Sequence, residues 1–309
     1  MRLRTGLLGI GKIARDQHIP AIAANPRFEL VAFASRNARI EGVPGFADLE
    51  AMLAGVPDLH CVSICTPPQV HFEAALAALR AGCHVMLEKP PTATTRLIAL
   101  LAEEAARRER TLFQTWHSRF AGGVDAAREW LRTRKLVSGK ITWKEDVHHW
   151  HPGQRWIWEP GGFGVFDPGI NALSVLTEIL PDEVAVETAR LEFPENQQAP
   201  IAANLSLRTT AGVAIAAEFD FRQKGEQSWD IELVTTSGKL KLSRGGAGLE
   251  IDGRIVTLDE GLAGEYPRLY QRFATLCDAG ESEVDWRPFQ LGADAFLVGE
   301  RRIVAPHEI

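Results

Sequence analysis

Leu3-Arg-Thr-Gly-Leu-Leu-Gly-Ile-Gly-Lys-Ile-Ala14 carries an apolar strand straight into Gly9-x-Gly11-x-x-Ala14 and then into a helical pattern. That order is the fingerprint of a dinucleotide-binding turn. Gly9 permits the tight strand-to-helix turn, Gly11 lets the backbone approach a pyrophosphate, and Ala14 lets the helix lie close against the strand. The helix N-terminus then presents unpaired N–H groups to phosphate. Lys12 and Ile13 stand inside the same turn and join the expected cofactor contacts.

A second strand, Phe28-Glu-Leu-Val-Ala-Phe-Ala34, ends about 20 residues past the glycines, where NAD binders carry an acidic residue for the ribose 2′-hydroxyl. This chain has Ser35-Arg36-Asn37 there. No carboxylate repels a 2′-phosphate, Ser35 can donate a hydrogen bond to it, and Arg36 can pair with it. NADP is the expected cofactor, with NAD the weaker alternative.

At 309 residues the chain is long enough for two domains, and its formal charge of −6 argues against a nucleic-acid or anionic-membrane surface. No stretch approaches a membrane span, and the N-terminus enters a strand with no signal-peptide core, which predicts a cytoplasmic protein. The four cysteines, Cys61, Cys65, Cys83 and Cys277, form no C-x-x-C pair and read as structural thiols.

Up to residue 118, strands alternate with helices, the pattern of a parallel sheet covered on both faces. In such sheets ligands lie at the carboxyl ends of the strands. Those ends here carry Gly9–Ala14, Ser35–Arg36, Thr66-Pro67 with His71 just beyond, Glu88-Lys89-Pro90, and Trp116-His117. All but the last pair are predicted on the cofactor side. Residues 119–309 change character: a tryptophan-rich loop fills His148–Gly162, a helix runs over Pro168–Leu180, and strands with turn signals follow to Leu258. This predicts an α+β domain with an open, mainly antiparallel sheet, closed by helices at Tyr266–Asp278 and Pro288–Gly299, of which the last can return to the first domain. Apolar alternation over Val213–Phe221 suggests burial on both sides of part of that sheet, hence a homodimer through it.

Gly9-x-Gly11-x-x-Ala14, Glu88-Lys89-Pro90 and Gly161-Gly-Phe-Gly-Val-Phe-Asp-Pro-Gly-Ile-Asn171 together resemble the glucose–fructose oxidoreductase/inositol dehydrogenase (Gfo/Idh/MocA) family, in order along nearly the whole chain. Gly11–His18, Trp143–Val147 and Trp150–Gln154 look most like its bacterial aldose 1-dehydrogenases, which act on L-arabinose or D-galactose. The resemblance implies oxidation of C1 of an aldopyranose to the lactone with NAD(P). The family's usual pair is an Asp followed four residues later by a His, one helical turn apart. Here those positions hold Asp167 and Asn171. Asn171 cannot act as a base, which leaves Asp167 as the first choice of proton acceptor, Lys89 holding the same oxygen or serving as the base itself, and Asn171 orienting the sugar. Asp-Pro is also a good helix start, so Asp167 can cap a helix as well.

The loop supplies groups for a sugar. Pyranoses rest apolar C–H faces on aromatic rings and need paired donors and acceptors for their hydroxyls. Glu145, Trp150, His151 and Trp156, with His117, Lys89, Asp167 and Asn171, form the expected lining. Glu145 and Asp146 disfavour a sugar phosphate. His148, His149 and His151 match no strong zinc spacing, so no metal is expected. L-Arabinose, D-galactose and D-fucose differ only at C5, and one small apolar group there changes selectivity by only ~1–3 kcal/mol, so all three stay open. The rival readings are another reaction of the family, on an inositol, a dihydrodiol or an imine, and a sugar- and NADP-binding regulator without turnover. Retention of both Lys89 and Asp167 speaks against the regulator.

Overall fold

The computed structural model describes residues 2–258 and 264–308. It divides into two compact units, Met1–Trp116 with Leu262–Trp286, and His117–Gly261 with Arg287–Ile309. In the first, β1 (Leu3–Leu8), α1 (Ile19–Ala24), β2 (Phe28–Ala34), β3 (Gly45–Phe46), α2 (Leu49–Gly55), β4 (Cys61–Ile64), α3 (His71–Arg80), β5 (His84–Leu87), α4 (Thr95–Arg108) and β6 (Leu112–Gln114) follow one another. The six strands are parallel in the order β3-β2-β1-β4-β5-β6, the Rossmann arrangement, whose order reverses beside β1. β1 packs close against α2: a Cβ on Gly6 would stand 2.9 Å from Met52 Cε, the flexible end of that side chain, and would push it aside. Between β1 and α1 the chain makes a wide π-type turn, Ala14–His18.

The second unit contains α5 (Val124–Leu131), β7 (Leu136–Lys144), the single turn α6 (Val147–Trp150), α7 (Phe166–Ile179), and then β8 (Val184–Pro194), β9 (Ala202–Thr209), β10 (Ala214–Asp220), β11 (Ser228–Thr235), β12 (Gly238–Ser243), β13 (Gly248–Ile251) and β14 (Arg254–Ile255). After them come α8 (Glu265–Ala279), α9 (Arg287–Val298) and β15 (Gly299–Val304). The nine-stranded sheet runs β14-β13-β12-β11-β7-β10-β9-β8-β15 and is antiparallel except at β7/β10 and β8/β15. α7 is apolar nearly all round, and Phe166, Ile170, Leu173 and Leu176 are fully buried.

Two sequence expectations change. The segment that belongs to the first unit is α8, not Pro288–Gly299. Aromatic packing decides this: Tyr270 and Phe273 of α8 lie 5.1 and 5.9 Å, ring to ring, from Phe28, whereas Phe289 and Phe296 of α9 pack on Phe163 at 5.4 and 5.7 Å. β15 was not foreseen because Gly299-Glu-Arg-Arg-Ile-Val304 lacks apolar alternation. Within the chain β10 is buried on one side only: Ile215, Ala217 and Phe219 face the core, while Ala214 and Ala216 are exposed. In the same outer row Glu218 pairs with Lys140 and Lys144 across the parallel β7 neighbour and Asp220 pairs with Arg222, so small and charged side chains make up that row. All four cysteines are free. Among the described residues no helix is long and apolar enough to cross a membrane.

Candidate active site

Within the first unit the carboxyl ends of β1, β2 and β4 border a cleft of about 650 Å³. Gly9, Gly11, Ser35, Arg36, Asn37 and Thr66 line it. Gly9 has φ +85°, and a Cβ there would meet the Cys65 carbonyl at 3.1 Å, so the turn requires glycine. Gly11 faces open space, which leaves its backbone approachable. Thr66 Oγ1 is buried with no partner, an acceptor or donor left for a ligand. These features fit a dinucleotide. Arg15, which the sequence reading passed over, also lines the cleft and adds a second cation to Arg36.

Of the other expected cofactor residues, Lys12, His71 and Glu88 have side chains engaged by protein groups. Lys12 is exposed and its ammonium pairs with Asp16, one turn on. Ile13 and Pro67 are half-buried in their turns. His71 is fully buried at the start of α3, with Nδ1 3.1 Å from Pro90 O and 3.2 Å from Pro91 O and Nε2 against Thr66 O. It ties the loops after β4 and β5 together, and burial pushes its pKa down. The Glu88 carboxylate is also buried and held by protein groups: Tyr266 donates to Oε1 at 2.7 Å, His18 Nε2 lies 2.9 Å from the same oxygen, and the Lys89 N–H donates to Oε2 at 3.0 Å. Lys89 follows β5 and is half-buried.

Of the predicted sugar-side groups, the second unit brings Glu145, Trp150, His151 and Asp167 together. Asp146 caps α6 by accepting from the His148 N–H at 3.0 Å, and that single turn presents Trp150 and His151. Glu145 is 4 % exposed, with Oε1 2.9 Å from His151 Nε2 and Oε2 accepting from Trp229 Nε1 at 2.9 Å. Trp150 and Trp229 meet edge to face at 5.0 Å. On its other side His151 Nδ1 stands 3.7 Å from Asp167 Oδ2 and 3.4 Å from Gln154 Oε1. Asp167 does not cap α7: Val165 occupies the cap position, and Asp167 sits buried in the first turn. One turn along, Asn171 Oδ1 is buried without a partner. His117 opens a short helical turn with its ring 3.4 Å from Ser118 Oγ, and Trp156 is half-buried in the turn Arg155–Trp158.

Sequence reasoning missed Trp229, which lies 84 positions from Glu145. It arrives because β11 pairs antiparallel with β7, setting Trp229 opposite Trp143. No local signal announces which strands will pair, so only the predicted sheet could have suggested it.

A profile described as an oxidoreductase family with an NAD-binding Rossmann fold matches residues 3–115. The chain is 45 % identical to galactose 1-dehydrogenase of Pseudomonas fluorescens over 299 residues, 97 % of this chain and 96 % of that protein. Among solved structures it is similar to D-galactose 1-dehydrogenase from Rhizobium etli, at 50 % identity and a TM-score of 0.94, over 99 % of this chain and 98 % of that one. A 3-ketoreductase from Actinomadura kijaniata, solved with NADP, shares the fold at 20 % identity and a TM-score of 0.84, over 98 % of this chain and all of that one. With a dinucleotide cleft on one unit, a carboxylate-rich cluster on the other and near-full-length similarity to such enzymes, the chain belongs to the Gfo/Idh/MocA family of NAD(P)-dependent oxidoreductases.

Proposed function

We propose that the protein oxidises C1 of an unphosphorylated aldopyranose to the lactone, with D-galactose, L-arabinose and D-fucose as the substrate class and NADP preferred over NAD. The observation that carries this reading is the cluster of Glu145, His151, Trp150 and Trp229 beside Asp167. Carboxylate and imidazole pair with hydroxyls, and indole faces accept the C–H side of a pyranose. A phosphorylated sugar would meet two buried carboxylates, Glu145 and Asp167. The likeness to two galactose 1-dehydrogenases, at 45 % and 50 % identity, supports the same substrate class.

In this reading Asp167 accepts the C1 hydroxyl proton, because the hydroxyl must lose a proton as the C1 hydrogen departs with its electron pair. Asn171 offers its free Oδ1 to a neighbouring hydroxyl, and Lys89 donates to the oxygen at C1. Gly9 and Gly11 hold the pyrophosphate, while Ser35 and Arg36 hold a 2′-phosphate. When bound, the dinucleotide supplies the hydride acceptor. The reading also places the enzyme in the cytoplasm and has a second copy cover the outer face of the nine-stranded sheet. Sedimentation showing only monomer at micromolar concentration would remove that last part.

The deciding experiment follows reduced-cofactor absorbance over a panel of unphosphorylated aldoses with NADP and with NAD, and identifies the product. Galacto-configured sugars should turn over and yield a lactone. Turnover of an inositol or a diol alone would move the protein to another reaction of its family, and sugar binding without turnover would make it a sensor.

A further inference from the structure

Behind Lys89 the first unit holds a file of buried polar groups outside the cofactor cleft. Ser63 Oγ lies 3.0 Å from the Tyr270 hydroxyl, that hydroxyl 2.8 Å from His18 Nδ1, and His18 Nε2 2.9 Å from Glu88 Oε1. Tyr266 joins at Oε1, and the Lys89 N–H closes the file at Oε2. Ser63, His18 and Tyr270 are 0 % exposed, Tyr266 2 % and Glu88 4 %. An ionised carboxylate only accepts, so His18 Nε2 and the Tyr266 hydroxyl donate to Glu88. Burial, and next to it the Glu88 charge, pushes the Tyr266 phenol well up, so it remains a donor.

Stability alone does not account for such a file. Replacing a buried charged cluster by apolar side chains of similar volume is often neutral or stabilising. What the file adds is definition. It fixes a carboxylate whose second oxygen grips the backbone of the turn that bears Lys89, while His71 grips the Pro90 and Pro91 carbonyls just beyond. Its members come from distant parts of the sequence: the π-type turn supplies His18, β4 supplies Ser63, and α8 supplies Tyr266 and Tyr270.

We propose that Tyr266, His18 and Tyr270 are positioning residues for Lys89: they lock Glu88, and Glu88 locks the turn from which the lysine emerges. The proposal rests on the reading of Lys89 as the donor to the sugar oxygen. Groups that work through another residue lose their effect once that residue is gone, and a double-mutant cycle exposes this.

Tyr266→Phe keeps the ring, which packs 4.9 Å from His18, and removes one donor. It should lower kcat about 10-fold with the KM for NADP unchanged, since small misplacements of a reacting group are costly. In a Lys89→Met background the same change should cost nothing further. Tyr270→Phe acts one bond further from the carboxylate and should lower kcat about 3-fold, again only when Lys89 is present. Thermal melting and NADP binding accompany each variant. If both tyrosine changes cost the same factor with and without Lys89, or lower only the melting temperature, the positioning role is wrong while the Lys89 reading stands. If Lys89→Met turns over like the parent, both are wrong.

Discussion

On the proposed reading, the cofactor cleft and the sugar-side cluster solve recognition in opposite ways. In the first unit the cleft is shaped by backbone: Gly9 makes the turn, Gly11 leaves its surface bare, and the side chains at the rim, Arg15 and Arg36, are exposed cations. In the second unit the groups are side chains, buried and bonded to one another, with Glu145 held by His151 and Trp229 and with His151 beside Asp167. Phosphate is common to every dinucleotide, so peptide N–H groups suffice for it. A sugar differs from its isomers only in hydroxyl orientation, which demands side chains fixed in place. The first arrangement tolerates exposed, loosely held charges; the second depends on each member.

Four measurements, the first on a pair of variants, can break or sharpen this contrast. Asp167→Ala should lower kcat by ~10²–10⁴-fold with NADP affinity intact, since general-base catalysis is worth about that much. Asn171→Ala should mainly raise the sugar KM, and near-normal turnover in Asp167→Ala would take Asp167 out of the chemistry. Arg36→Ala should weaken NADP by ~10- to 100-fold, the value of one charge-assisted hydrogen bond, and leave NAD unchanged. Equal losses for both cofactors would defeat the 2′-phosphate assignment.

Trp229→Phe keeps an aromatic face but strips one donor from Glu145, and should raise the sugar KM about 10-fold while kcat changes less. An unchanged KM would show that Glu145 needs no such holding. The fourth measurement is a control on a carboxylate assigned to neither site. Glu104 is buried on α4 among Arg80, Arg107 and Arg108, and the hydrogen bond from Arg108 leads in holding its pKa below the usual value. A depressed folded pKa stabilises the protein at neutral pH, and that contribution is lost as pH falls through the folded value. Glu104→Gln should therefore melt slightly earlier at pH 7, with the gap closing in acid and with kcat unaltered. Any fall in kcat would mean that buried carboxylates matter here through the fold rather than through their place.

The contrast also explains what could be read from the sequence. Gly9, Gly11, Ser35 and Arg36 follow each other within one strand–helix–strand unit, so spacing alone located them, and the parallel sheet came with them, whereas its strand order and the short β3 did not. Asp167 and Asn171 were singled out through the resemblance to the family's Asp-and-His pair, and they stand one turn apart on α7. Trp229, His18 and Tyr266 were not, because each meets its partner through strand pairing or helix docking across long separations. His71 and Lys12 sat in the right places along the chain, but one side chain was drawn inward to backbone carbonyls and the other outward to Asp16, and neither direction is encoded by position.

One consequence concerns the ribosome. The first unit looks complete by residue 116, yet the helix that covers Phe28 and Phe113 and supplies a donor to Glu88 is α8, Glu265–Ala279. During synthesis those rings stay uncovered and that carboxylate lacks Tyr266 until the whole second sheet except β15 has been made. At ~5–20 residues per second the wait from Trp116 to Ala279 lasts on the order of ten seconds or more. The earliest segment of the chain to emerge is thus among the last to finish folding, and a fragment cut at the apparent boundary would be an unfinished domain rather than an independent one.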